Sequence, residues 1–357
     1  MAIAIASAAL ILVLSLFANA LMIYDLRRRQ RGAKHIAFLT PTGAGPFYMA
    51  MLIGLVRNAS RAQGQNYIVV PSMPTESFEE LSIWALFAGL EDRQLDIDGI
   101  IFIPDQPDSH FEELVGFHED RGDIPLVLVD VYFDLAHCDE RTRARLPSFV
   151  GGDELAGGAA AAAIIVDAIE ATAGEAPVVL VVNGGVAPWE QQRAVALREN
   201  LRRRWPSIHF IETPPINYER SLAYETTLQA VRAMASPVGD IKLDAIFACN
   251  DDMAIGARSA ISRLLREKYH FLHRPQIVGY DGIPEIQEYI NEGDPYIAGT
   301  VDVRIEEQAR AAMLLMHKLA RTRQRRSEVQ LVTPQAVRRS RNMPTGRIAP
   351  ARSGGVS

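Results

Sequence analysis

Cysteine is almost absent from this chain: Cys138 and Cys249 are the only two in 357 residues. No CxxC pair and no cysteine-based metal spacing can be built from them, at most one disulfide could form, and the redox compartment stays open. Enzyme signatures are missing too. There is no GxxxxGK[ST] phosphate loop, no GxGxxG after the first predicted strand, no HExxH and no GxSxG. The glycine-rich stretch Thr40–Pro46 lacks a third glycine, and Pro46 removes a backbone donor. His35, His110, His118, His137, His209, His270, His273 and His317 are scattered, with no pair at ligand spacing. These absences argue against an enzyme, a cofactor and a metal site.

Positive charge is scarce in the body of the chain. Five basic residues between Arg27 and Lys34 and nine between Arg321 and Arg352 leave residues 35–320 with 23 basic against 41 acidic residues, a net charge near −18. So acidic a surface repels phosphate backbones, which excludes nucleic acid as a partner of the folded body. The first 24 residues carry no charged side chain, and that length can span a bilayer as one helix. Ala18-Asn19-Ala20 fits an export cleavage site, yet no basic residue precedes the apolar run. If the segment stays as an anchor, the cluster Arg27–Arg31 predicts that the following domain lies on the cytoplasmic face.

What is present in quantity is alternation. From His35 onward, short apolar runs alternate with longer amphipathic stretches, as in βα units of a parallel sheet. Strands are expected at 35–40, 67–72, 99–104, 125–130, 149–152, 178–183, 209–213, 245–250, 276–280 and 296–301. Helices are expected at 47–63, 77–91, 153–171, 189–204, 220–235, 250–267 and 304–321. The strands are apolar throughout, as required when helices cover both faces of a sheet. Periodicity fails between Val131 and Ser148, where a first crossing between two lobes is expected. The Pro-, Arg- and Ser-rich end reads as a disordered tail.

A polar residue recurs where each apolar strand ends: Asp105, Asp130, Asp153, Asn183, Asn250 and Asp281. Ligands of open α/β sheets bind outside the carboxyl ends of the strands, so these residues converge on one crevice if the lobes face each other. The competing role is helix capping, and Asp153 before ELAGGAAAAA reads as a cap.

In order along the chain, HIAFLTPTGAGPFYMAMLIGLVRNA, DGIIFIPDQPD, PLVLVD, FVGGDELAGGAAAAAI, WEQQRAVALREN, DAIFACNDDMAIGARSAI and IVGYDGIPEIQEYINEGDPYIAGTV resemble the type I periplasmic binding proteins. These are sugar-binding proteins similar to the ribose-binding protein and to the effector domain of lactose-repressor-type regulators. The resemblance covers about residues 35–335, and its most specific pieces are CNDDMAIGA and VGYDGIPE. It implies an α/β fold of two Rossmann-like lobes with parallel sheets, joined by three hinge crossings and preceded by the N-terminal apolar helix. The expected division is 1–24 as signal or anchor, 35–134 plus 304–321 as the first lobe, 149–301 plus 329–335 as the second, and 338–357 as a tail.

The resemblance also implies site roles. Phe47 and Tyr48 match the aromatic pair that packs on a sugar ring, and Tyr218 an aromatic of the second lobe. Asp130 and Asp281 match ligand carboxylates, Arg193 the ligand arginine and Asn250 the ligand amide. Carboxylates accept from vicinal hydroxyls, arginine donates, and aromatic faces cover C–H surface. Asp105 is a further candidate, and Trp189 either fills part of the pocket or packs within a lobe. Gly45, Pro104, Val131 and Val303 stand where polar ligand contacts are expected, which implies a larger or less polar pocket than a pentose site. No helix-turn-helix precedes the body, against a transcription factor.

Together these features predict a non-enzymatic solute-binding protein with no cofactor. It would capture a small carbohydrate-like ligand by hinge closure and deliver it to an ABC permease outside the cytoplasm. The alternatives are a partner of a membrane sensor for a non-sugar molecule and, from another class, an α/β enzyme.

Overall fold

The structure, a computed structural model, describes residues 33–40, 46–61, 66–72, 83–91, 96–104, 111–122, 124–132, 140–143, 145–185, 188–322 and 327–340. The expected apolar helix at 1–24, the candidate Asp105, the side chain of Trp189 and the end of the chain beyond Ser340 lie outside the described residues.

Two six-stranded sheets form. The first contains β1 (Lys34–Leu39), β2 (Tyr67–Ser72), β3 (Gly99–Phe102), β4 (Leu126–Val129), β5 (Ser148–Gly152) and β13 (Val329–Val332), in the order β13-β5-β4-β3-β1-β2 and parallel throughout. The second contains β6 (Val178–Val182), β7 (His209–Glu212), β9 (Ala245–Ala248), β11 (Gln276–Asp281), β12 (Ile297–Asp302) and β14 (Gln335–Arg338), in the order β14-β12-β11-β9-β6-β7. Only β14 runs antiparallel. The two-residue strands β8 (Asp240–Ile241) and β10 (His270–Phe271) pair beside it.

Helices α1 (Pro46–Ala59), α2 (Ile83–Glu91), α3 (Phe111–Asp120), α4 (Glu140–Arg143) and α10 (Ile305–Thr322) belong to the first lobe. Helices α5 (Glu154–Ile169), α6 (Pro188–Arg204), α7 (Arg220–Ala233), α8 (Asp251–Arg266) and α9 (Pro284–Asn291) belong to the second. Burial follows position in the sheet. The inner strands β3, β4 and β9 are buried at every residue, whereas the edge strands β2 and β7 are only partly so. Fully buried Phe38, Phe117 and Phe247 each contribute roughly 1.5–3 kcal/mol through removal from water.

The lobe boundaries differ from those the sequence pattern assigns. Residues 149–152 and 329–332 belong to the first sheet, because β5 is hydrogen-bonded between β4 and β13. The chain therefore crosses at Gly152–Glu154, at Asp302–Ile305 and at Val332–Gln335, rather than at 131–148 and 321–329. Loss of periodicity after Val131 does not mark a change of lobe, since β4 before it and β5 after it pair in the first sheet. The sequence pattern also omits α3, α4, α9 and β14. Residues 338 and 339, expected to open the tail, are ordered: Arg338 pairs with Asp167 at 2.9 Å, and Arg339 donates to Gln276 Oε1 at 3.0 Å.

Asp153 sits at the first crossing and ties the lobes together. Its N–H donates to the Val332 carbonyl at 3.1 Å, and its Oδ1 accepts from the Ala156 N–H at 2.9 Å as the N-cap of α5. Loss of such a cap costs about 1 kcal/mol. Asp153→Ala is expected to lower unfolding free energy by that amount with an unchanged denaturant slope, measured by equilibrium urea unfolding.

Candidate functional site

Strained backbone marks the carboxyl ends of β4 and β11. Among the described residues, six other than glycine have positive φ: Asp130 (70°) follows β4, Asp281 (116°) ends β11, Arg304 (58°) lies at the second crossing, Asn217 (53°) and Tyr218 (61°) lie between β7 and α7, and Lys268 (68°) follows α8. Side chains with a Cβ avoid this region, and such residues concentrate at functional sites. Asp130 is the middle of a three-residue turn in which the Val131 N–H donates to the Val129 carbonyl at 2.8 Å.

The turn after β11 is fixed by Asp251, the first residue of α8. Its Oδ2 accepts from the N–H groups of Gly282 at 2.7 Å and Ile283 at 2.9 Å, and its Oδ1 accepts from Thr300 Oγ1 at 2.6 Å. Gly279 makes the approach possible, since a Cβ there would stand 2.1 Å from Asp251 Oδ1. Asp251 is fully buried. Burial pushes its carboxyl up to about 7, against the three hydrogen bonds that favour the charged form. Asp281 follows suit: burial, then the charges of Asp251, Asp130 and Glu154, hold its carboxyl well above the ordinary range despite Arg193.

Arg193 on α6 is buried and engaged. Its Nε donates to Glu154 Oε2 at 2.6 Å, its Nη1 donates to the Cys249 carbonyl at 2.6 Å, and its guanidinium carbon lies 4.0 Å from the centre of the Tyr280 ring. The two side chains of the ion pair are 6% and 12% exposed. Two glycines of α5 let these groups close up. A Cβ at Gly158 would be 2.2 Å from the Arg193 carbonyl oxygen, and one at Gly157 would be 1.9 Å from the Tyr280 hydroxyl.

The remaining candidates fall around this cluster. Phe47 and Tyr48, at the start of α1, meet edge to face with ring centres 5.7 Å apart. Phe47 packs against the cores of both lobes, Tyr48 against that of the first alone. Tyr218 lies over Gly184, where a Cβ would be 2.2 Å from its ring. Asn250 caps α8 by accepting from the Met253 N–H at 2.8 Å, so its amide oxygen serves the helix. Arg193 lies within electrostatic reach of Glu154, Tyr280, Tyr218 and Asp281, and Asp281 within reach of Asp130 on the other lobe. The structure thus gathers Arg193, Tyr218, Asp130 and Asp281. It adds Glu154, Asp251 and Tyr280, which the strand-end pattern does not single out. The doubled acid of Asn250-Asp251-Asp252 is the one sequence signal for Asp251.

Among the described residues, no group of His, Cys, Asp and Glu is arranged to hold a metal ion, and no helix is long and apolar enough to cross a membrane.

A raised carboxyl has a definite sign in stability. Between pH of about 4 and about 7 the folded chain keeps a proton that the unfolded chain has released, so the contribution of the Asp251 and Asp281 pair to stability falls as pH rises through that window. Asp281→Asn removes one charge of the pair. It is expected to melt a few degrees above the parent at pH 7.5, with the difference vanishing toward pH 4, as followed by circular dichroism.

The periplasmic binding protein domain profile matches residues 36–324. No curated protein sequence matches the chain. Among solved structures, an ABC transporter periplasmic solute binding protein from Actinobacillus succinogenes 130z with bound D-allose is similar at 24% identity and a TM-score of 0.67, over 86% of this chain and 98% of that one. A solute binding protein from Mycobacterium smegmatis with bound glycerol shares 23% identity with a TM-score of 0.66, over 87% and 96% of the two chains. Another from Bacillus halodurans C-125 with bound myo-inositol shares 16% identity with a TM-score of 0.65, over 86% and 95%. Two parallel-sheet lobes, strained carboxylates at the strand ends between them and a profile match spanning most of the sequence lead to one assignment: the chain belongs to the periplasmic binding protein family.

Proposed function

We propose that the chain is a non-enzymatic solute-binding protein that captures a small polyhydroxylated ligand between its lobes for uptake by an ABC permease. The observation that carries this reading is the pair Asp130 and Asp281. These two strained carboxylates stand at the ends of central strands of opposite lobes, within electrostatic reach of each other. Carboxylates so placed accept hydrogen bonds from ligand hydroxyls, while Phe47, Tyr48 and Tyr218 cover C–H surface. The ligands in the similar structures, D-allose, glycerol and myo-inositol, are all polyhydroxylated and support the same class. Motion at the three crossings would close the first lobe (34–152 and 305–332) on the second (153–304 and 335–338).

Arg193 has two duties in this reading. Nε holds Glu154 and Nη1 holds the Cys249 carbonyl, and Nη2 is the part left for ligand. Removing it strands a buried Glu154, a loss of about 3–5 kcal/mol. The aspartates are therefore cleaner probes. In a thermal-shift screen of sugars and polyols, a ligand at 100 times its Kd is expected to stabilise the fold by about 2.7 kcal/mol. Asp130→Ala and Asp281→Ala should each weaken that ligand about 10- to 100-fold by calorimetric titration while remaining folded. Parent-like affinity in both variants would remove the cleft from consideration.

The uncharged residues 1–24 support retention at, or export across, a membrane, and family membership supports an extracytoplasmic body. Fractionation of tagged full-length protein should place it in the membrane or the periplasm. A cytosolic, uncleaved pool would contradict both.

A further inference from the structure

The charge balance around Asp281 narrows the ligand class, on the reading that the cleft binds a polyhydroxylated molecule. Four carboxylates lie together there: Asp130, Glu154, Asp251 and Asp281. Glu154 is neutralised by Arg193 at 2.6 Å. Asp251 is saturated by three donors. The carboxylate of Asp281 has no hydrogen-bond or ion-pair partner among the described residues, although its neighbours hold it in a strained conformation with φ of 116°.

The arginines on nearby helix starts do not supply one. Arg220 forks onto Asp252 and Glu285, with contacts of 2.5 and 2.6 Å, and Arg304 pairs with Glu307. When the lobes close, Asp281 loses water, and the cation within its reach among the described residues, Arg193, is already matched by Glu154. Burying a carboxylate that way is costly unless a cation or a proton arrives. A neutral polyol can donate hydroxyl hydrogens but brings no charge. An ammonium group does both.

We propose that the ligand carries a protonated amine beside its hydroxyls, an amino sugar, imino sugar or amino-polyol, with the ammonium seated against the Asp281 carboxylate. The pressure of burial and neighbouring negative charge on the Asp281 carboxyl agrees with this: without a cation, a proton fills the same role.

Calorimetric titration at pH 7.5 tests this with D-glucosamine, D-galactosamine, D-mannosamine and 1-deoxynojirimycin, each set against its neutral hydroxyl counterpart. At least one amine is expected to bind about tenfold or more tightly than its counterpart. Asp281→Asn should erase that preference. Asp252→Asn, a carboxylate engaged with Arg220 outside the cluster, should keep it, and melting curves confirm that both variants fold. Neutral members binding as tightly as the amines throughout, or an amine preference that survives Asp281→Asn, overturns the inference and leaves the polyol reading standing. Silence from every member, extended to D-allose, glycerol and myo-inositol, overturns both.

Discussion

The buried carboxylate of Asp251 is the constraint on which the second lobe's half of the cleft depends. It accepts from two successive backbone N–H groups after β11 and from Thr300 on β12, so one side chain fixes the ends of two adjacent strands. Without it, the N–H groups of Gly282 and Ile283 would lose their acceptor where water has little access, a penalty of about 1–3 kcal/mol for each group. The same contact sets the backbone that places Asp281, and the close approach of Gly279 to Asp251 leaves no room for a side chain on that strand residue. Local geometry and the proposed ligand chemistry are thus coupled through one residue.

Around this fixed point, small residues decide how near the charged groups can come. Gly157 and Gly158 bring α5 against Tyr280 and the backbone of Arg193, and Glu154 at the start of that helix then meets the guanidinium. Arg193 sits on α6, Glu154 opens α5 and Cys249 immediately follows β9. A single guanidinium therefore links three elements of the second lobe. On the proposed reading, this order limits side-chain freedom before a ligand arrives, which lowers the entropy lost on binding. It also leaves the cluster acidic, because the one buried cation among the described residues is already matched.

The crossings carry the complementary constraint. Asp153 binds the backbone of β13 with its N–H and the first turn of α5 with its carboxylate, so it belongs to both lobes. Arg304, at the second crossing, has positive φ, and its N–H donates to Asp302 Oδ1 at 2.7 Å. Polar contacts thus hold the backbone at the crossings, while Val303 is buried in the second-lobe core and Ile305 packs against the cores of both lobes.

Much of this was legible in the sequence. Apolar runs bounded by longer amphipathic stretches determined nearly all the sheet strands and the longer helices, because burial on both faces of a parallel sheet forces that pattern locally. The strand-end aspartates were visible for the same reason: a polar residue that ends an apolar run must leave the core. Helices α3 and α9 escaped because they are short, and β14 because an edge strand in an arginine-rich segment carries little apolar signal. The lobe of β5 and β13 was decided only in three dimensions. Phe149 pairs with Val329, a partner 180 residues away, and no local pattern records which sheet edge a strand will join. The engagement of Arg193 by Glu154 and the burial of Asp251 were likewise tertiary outcomes. The sequence supplies the charged side chains, but their pairing and desolvation depend on which backbones approach closely enough to exclude water.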